Sequence, residues 1–257
     1  MMSTDRAAAL GEIADQVKVC TLCDLYKNRT RAVPGAGSPN AEILFIGEGP
    51  GYNEDKQGLP FVGQSGRLLN ELLKSIGLSR DDVFITNVVK CRPPQNRDPL
   101  PIEIATCRQY LDAQEGLIDP LVIVTLGRHS MARYFPGAKI TAIHGQPKYD
   151  SDRAYMPLFH PAAVLRNPAY EQPMMEDFQR ILEVLAEVKR RRAGGAPAKP
   201  APTAQAPAAE PPAPKQTAPK TATAPPAQAP QPPANTPPTA PDGDAADEGP
   251  PTQMSLF

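Results

Sequence analysis

Two hydrophobic periods alternate along residues 1–193, and each change of period marks an element. Leu10, Ile13, Ala14 and Val17 recur at helical spacing over residues 4–18, with Ser3 or Thr4 as cap. A short β-prone run, 42–47, stops at Gly47-Glu48-Gly49-Pro50-Gly51. Beyond that glycine loop, Ser65 caps a helix whose Leu68, Leu69, Leu72, Leu73 and Ile76 form one apolar stripe, closed by Gly77. Residues 83–89 read as a second strand, and Pro101 opens a helix that carries Cys107. The nearly continuous apolar run 120–127 has the character of a buried parallel strand. A short helix from Arg128, a β-like pair over 139–150 and a last strand over 154–159 follow. The final helix, about 171–191, turns Met175, Phe178, Ile181, Leu182, Leu185 and Val188 inward. Strands alternating with helices predict an α/β protein: a mostly parallel sheet covered on both faces, with chemistry at the strand C-termini. Three polar sites fall there: the glycine loop, Asn87 and His160.

Composition divides the chain. Of its 33 prolines, 18 lie beyond residue 193, and that stretch has no aromatic before the last residue. Such a segment cannot build a core, so 194–252 is expected to be a disordered Pro/Ala-rich linker after one folded domain, 1–193. Without the tail's three lysines and five acids, 24 basic and 23 acidic residues remain. Contact with nucleic acid must then come from a local basic patch. Neither a signal-peptide pattern nor a long apolar run occurs, which predicts a cytoplasmic protein with no membrane partner.

In a reducing compartment, four cysteines are better suited to metal than to disulfides. Their pattern is C-x2-C, a gap of 67, then C-x15-C: Cys20, Cys23, Cys91 and Cys107. The close pair suits chelation from a turn, and two distant ligands complete the set. Spacing leaves zinc and an iron-sulfur cluster level. In the loop after the first strand, Glu54, Asp55 and Phe61 resemble a pocket wall, although a solvated loop and ordinary packing are the plain alternatives. Asn87 is equally a turn cap and His160 equally a buried structural histidine, while His129 and His144 read as structural or exposed.

With GEGPGYNEDKQGLPFVG, TNVVKCRPPQNRDP, HPAAVLRNP and the four cysteines in this order, the chain resembles the family 4 uracil-DNA glycosylases. The resemblance spans about residues 10–190. It implies a three-layer α/β/α fold and a 4Fe-4S cluster on Cys20, Cys23, Cys91 and Cys107, with zinc as the alternative. It also implies a uracil site made by Gly47, Glu48 and Gly49, stacked on Phe61, with Asn87 on the base edge and His160 near O2. The chemistry of the residues agrees: an amide pairs with the N3–H and O4 of uracil, and a donor aimed at O2 stabilises the departing anion. Glu48, with Glu54 and Asp55 behind it, is the carboxylate expected near the sugar.

The resemblance further makes 160–166 a DNA-intercalation loop, with Val164 or Leu165 as wedge and Arg166 near phosphate. Lys90, Arg92 and Arg97 are expected at the DNA backbone. Three departures stand out: Ala162 replaces a frequent serine, Gly49 stands where an aspartate would activate water, and Gly51 stands where a tyrosine would exclude thymine. No lysine in these motifs is placed as a Schiff-base nucleophile, so a monofunctional, monomeric glycosylase acting on uracil-containing DNA is expected. The rival is a metal-stabilised DNA-binding protein without catalysis.

The last five residues, Gln253, Met254, Ser255, Leu256 and Phe257, resemble the peptide by which bacterial repair proteins dock on the sliding clamp. Apolar anchors at the end of a polar tether are useful only in another protein's groove.

Overall fold

A computed structural model of the chain describes residues 3–194. The expected linker beyond Gly194 and the docking residues Gln253, Met254, Leu256 and Phe257 lie outside the described residues. The first helix, α1, is Ser3–Val19, and a two-residue strand, β1, follows at Ala36–Gly37. Then come β2 (Ile43–Gly47), α2 (Tyr52–Gln57), α3 (Gln64–Ser75), β3 (Phe84–Asn87) and α4 (Pro101–Ile118). The second half holds β4 (Val122–Leu126), α5 (Arg128–Ala132), α6 (Ile140–Ile143), β5 (Lys148–Tyr149), β6 (Ala154–Leu158), α7 (Pro161–Arg166) and α8 (Glu171–Arg192). None of these helices is long and apolar enough to cross a membrane.

The sheet order is β1-β3-β2-β4-β6-β5. Its four inner strands are parallel, and the two-residue edges are antiparallel. Every residue of β2, β3 and β4 is buried, as their unbroken apolar runs require when both faces are covered. On one face Phe45, Val124 and Met156 pack against Leu69 and Leu73 of α3 and Phe178 of α8. The Phe45 and Phe178 rings stack there at 5.8 Å. On the other face Leu44, Ile46 and Ile123 meet Leu111 and Ile118 of α4. This is the three-layer α/β/α arrangement.

Several local expectations change. The loop after β2 contains a helix, α2, and Gly63 rather than Ser65 caps α3. Where a β-like pair was expected, residues 140–143 form one helical turn, and only Lys148–Tyr149 pairs with β6. In α8 the buried stripe runs through Met174, Phe178, Ile181, Val184 and Val188, while Met175 and Leu182 are exposed. The apolar residues on both flanks of that stripe blurred its centre in the sequence.

Because β2 leads to β3 on one side while β4 lies on its other side, the chain order reverses at β2. The crevice beyond the carboxyl ends of β2 and β4 is the place where such sheets hold ligands.

Candidate functional site

A cleft of about 550 Å³ opens at that edge, lined by the loops that follow all four parallel strands. Gly47 and Asn87 are register partners at the ends of β2 and β3. The Asn87 side chain is 1% exposed, and its Oδ1 has no hydrogen-bond partner. Buried amide oxygens are nearly always paired, so an unpaired one on a cleft wall calls for a donor from a ligand. Gly47 keeps this place clear: a Cβ there would collide with Asn87 Oδ1 and lie 2.6 Å from Phe61 Cζ.

Phe61 reaches the cleft from a backbone with φ of 52°, a conformation that bulky residues avoid. Arg80 holds it there, its guanidinium donating to Phe61 O at 3.1 Å and to Pro60 O at 2.6 Å. No pattern in the sequence marked Arg80. The Phe61 ring stacks on His160, with centroids 5.7 Å apart and planes 28° from parallel. His160 Nδ1 accepts the Ala162 N–H at 3.0 Å. Burial, with Arg166 nearby, pushes the imidazole down to about 4. The ring is therefore neutral at physiological pH, with its proton on Nε2.

The three candidate carboxylates now separate. Glu54 accepts backbone N–H groups from Gly51, Val62 and Gly63 at 3.1, 2.9 and 2.9 Å, so it knots the loop together. Asp55 is buried and accepts from Thr30 N at 2.8 Å. Glu48 alone of the three has its oxygens turned toward other side chains: its Oε2 lies 3.7 Å from His129 Nε2. Desolvation raises its pKa, with His129 pulling the other way and Asp98 adding to the rise. Asp98 lies 3.5 Å from His129 and is ion-paired with Arg128. His129, expected to be structural or exposed, thus stands behind two carboxylates of the cleft wall. The end of β4 delivers it, and the same strand-end rule that picked out Asn87 and His160 applies to residues 127–129.

At the rim, Leu165 is 50% exposed whereas Val164 is 6% exposed and part of the core, so of the two wedge candidates only Leu165 is free to leave the surface. Arg166 is exposed beside it. Arg92 donates to Asn96 Oδ1 at 2.8 Å and lies 5.2 Å over the Tyr52 ring, at the opposite rim. Arg97 is held by Glu103 in a two-pronged ion pair, at 2.9 and 2.6 Å. Lys90 is corrected: expected at phosphate, its amine is fully buried and satisfied inside the protein.

Behind β3, Cys20, Cys23, Cys91 and Cys107 line one small cavity, none of them in a disulfide. Arg29 donates to Cys91 Sγ at 3.1 Å and the Lys90 N–H to Cys107 Sγ at 3.3 Å, contacts that favour thiolates. Burial pushes the Cys107 thiol up to about 11, so a cation is needed to hold it deprotonated. The donor set fits a metal centre with four sulfur ligands. Glu48, Asp98 and His129 form a second cluster of possible ligand atoms, but the Arg128 guanidinium already neutralises Asp98.

Fold and cleft define a three-layer α/β protein whose candidate site lies at a chain reversal in its sheet. Residues 34–186 match the profile of the Uracil DNA glycosylase superfamily. A Type-4 uracil-DNA glycosylase of Sulfurisphaera tokodaii is 49% identical over 71% of this chain and 87% of its own length. Proteins of that description from Saccharolobus solfataricus and Thermotoga maritima are 48% and 46% identical, over 68% and 65% of this chain and 85% and 90% of theirs. The chain belongs to the uracil-DNA glycosylase superfamily, in its type-4 branch.

Proposed function

We propose that this protein hydrolyses the N-glycosidic bond of deoxyuridine in DNA, releasing uracil and leaving an abasic site. The observation that carries the proposal is the unpaired Oδ1 of buried Asn87, which lies with the Phe61 ring against Gly47. A base within a duplex is out of reach, so the nucleotide is flipped into the cleft, where Phe61 replaces its stacking. Asn87 Oδ1 accepts the uracil N3–H and Nδ2 donates to O4. Cytosine presents the reverse pattern and is refused, by about 1–3 kcal/mol for a good bidentate pair. Gly47, Glu48 and Gly49 supply the backbone wall.

As the C1′–N1 bond breaks, negative charge gathers on uracil O2 and positive charge on the sugar. The neutral His160 donates from Nε2 to O2 where that charge develops. Glu48 balances the sugar's charge, orients the water whose oxygen bonds to C1′ and takes the proton that water sheds, which passes on to the departed uracil anion. Leu165 fills the gap left by the flipped base, and Arg166 and Arg92 hold phosphates on either side. Cys20, Cys23, Cys91 and Cys107 hold a 4Fe-4S cluster, with zinc as the alternative. When bound, it cross-links the loop after α1, the turn after β3 and α4.

In the same reading, 1–193 is the catalytic domain of an intracellular monomer. The segment 194–252 is a tether and Gln253, Met254, Leu256 and Phe257 engage a sliding clamp.

The deciding assay is release of free uracil from a single-stranded oligonucleotide with one deoxyuridine, beside a thymidine control. Release from the first alone is expected; DNA binding without release would leave a binding protein. Brown protein with broad visible absorbance distinguishes iron-sulfur from colourless zinc. Deleting the last five residues is expected to abolish clamp binding and leave uracil release unchanged.

A further inference from the structure

We infer that Lys90 is a positioning residue that ties the amide of Asn87 to the cysteine centre; the inference rests on the base-reading role proposed for Asn87. Lys90 precedes Cys91 in the chain and is 1% exposed. Its Nζ donates to Thr86 Oγ1 at 2.5 Å, to Gln114 Oε1 at 2.7 Å and to the Asn87 carbonyl at 2.9 Å, one acceptor for each proton. Its backbone N–H donates to Cys107 Sγ, and its carbonyl accepts from Val33 N at 2.7 Å. Gln114 in turn donates to Pro34 O at 2.7 Å. One residue therefore joins the end of β3, two positions of α4 and the chain entering β1.

Taking an ammonium out of water is costly, and an apolar side chain of similar length fills the volume without that cost. What lysine adds is position. The Asn87 carbonyl is held by the Lys90 amine while its buried side-chain oxygen is left without a protein partner at the cleft wall. The N–H groups of Val88 and Val89 continue the clamp, donating to Gly47 O and Glu48 O at 3.0 and 3.1 Å. Any shift of the Cys91 turn is thus carried to the backbone from which the reading amide projects. The four-cysteine centre keeps the pocket selective through Lys90, without touching the base.

The test is a double-mutant cycle of Lys90→Met and Asn87→Ala in the full-length, metal-loaded protein. Binding to single-stranded oligonucleotides with one 2′-fluoro-deoxyuridine, or its thymidine counterpart, is read by fluorescence anisotropy, with metal content measured alongside. Lys90→Met is expected to lower the preference for uracil by about ten- to a hundredfold, the scale of lost hydrogen bonds to a charged group. In the Asn87→Ala background it is expected to cost about twofold or less, because the two act as one unit. Metal content stays at the wild-type level. Equal losses in both backgrounds, no loss, or a loss of metal overturns the inference. Should Lys90→Met not fold, Gln114→Leu removes one acceptor, and a smaller loss with the same non-additivity is expected. Unchanged preference in Asn87→Ala alone would instead overturn the base-reading role itself.

Discussion

The Ala162 N–H donates to His160 Nδ1 at 3.0 Å, and that bond decides which ring nitrogen carries the proton. A neutral ring with Nε2–H remains a donor across the physiological range, so no step depends on an imidazolium. The pKa, down to about 4 from 6.5, has a consequence for stability. Between those values the unfolded chain binds a proton that the folded one refuses. Stability is therefore complete above pH 6.5 and falls as pH drops toward 4, by about 3 kcal/mol for this group. Urea unfolding of wild type and His160→Gln across that range checks this; the variant is expected to lose this part of the slope.

Two glutamates six residues apart are expected to fail in opposite ways. Glu54 satisfies three backbone donors, and Glu54→Gln turns an amide donor toward some of them. A loss of about 1–3 kcal/mol and a lowered melting temperature are expected. Glu48→Gln leaves the loop intact, with stability within about 0.5 kcal/mol of wild type. Its kcat/KM for uracil release is expected to fall about a hundredfold. Thermal melts beside single-turnover rates separate the two.

Arg80 holds Phe61 by its carbonyl in a conformation with positive φ, a strain that persists only where the surroundings enforce it. Arg80→Met is expected to let the segment relax and draw the ring out of the cleft. Loss of one stacking platform corresponds to about 1–3 kcal/mol, hence a loss of affinity for free uracil of about five- to 150-fold. Titration by NMR checks it, and unchanged affinity would show that the ring needs no such hold.

The parts of this site that were legible in the sequence lie at places where backbone chemistry forces a residue type. The glycine loop after β2, Asn87 at the end of β3 and His160 before a helix-opening proline are such places. The four cysteines announced themselves by spacing. What was hidden depends on tertiary direction. Nothing in KCR tells whether Lys90 points outward to phosphate or inward to Thr86 and Gln114, since a long flexible side chain does either. Glu54 and Asp55 look alike as an exposed acidic pair, and only the turn of α2 sends one to the loop backbone and the other to Thr30. His129 stands in no motif of its own, and only the apolar run that ends at Leu126 hints that it follows a strand end.

Val164 and Leu165 are adjacent and similar, yet the turn of α7 sends them opposite ways. Val164 is packed within the core that includes Leu158 and Phe178. Val164→Ala is therefore expected to cost about 1–3 kcal/mol of stability and to lower activity on every substrate in proportion to the folded fraction. Leu165 is half exposed at the cleft rim beside Arg166 and lies outside the core that holds Val164. A wedge matters only where a stacked partner base must be replaced, because flipping from a single strand leaves no paired hole. Leu165→Ala is then expected to keep the wild-type melting temperature and the wild-type rate on a single-stranded oligonucleotide. On a duplex with a U·A pair, the rate is expected to fall by about tenfold or more, the cost of a few kcal/mol of uncompensated unstacking. Equal losses on both substrates would mean that Leu165 acts through the cleft and not on the helix.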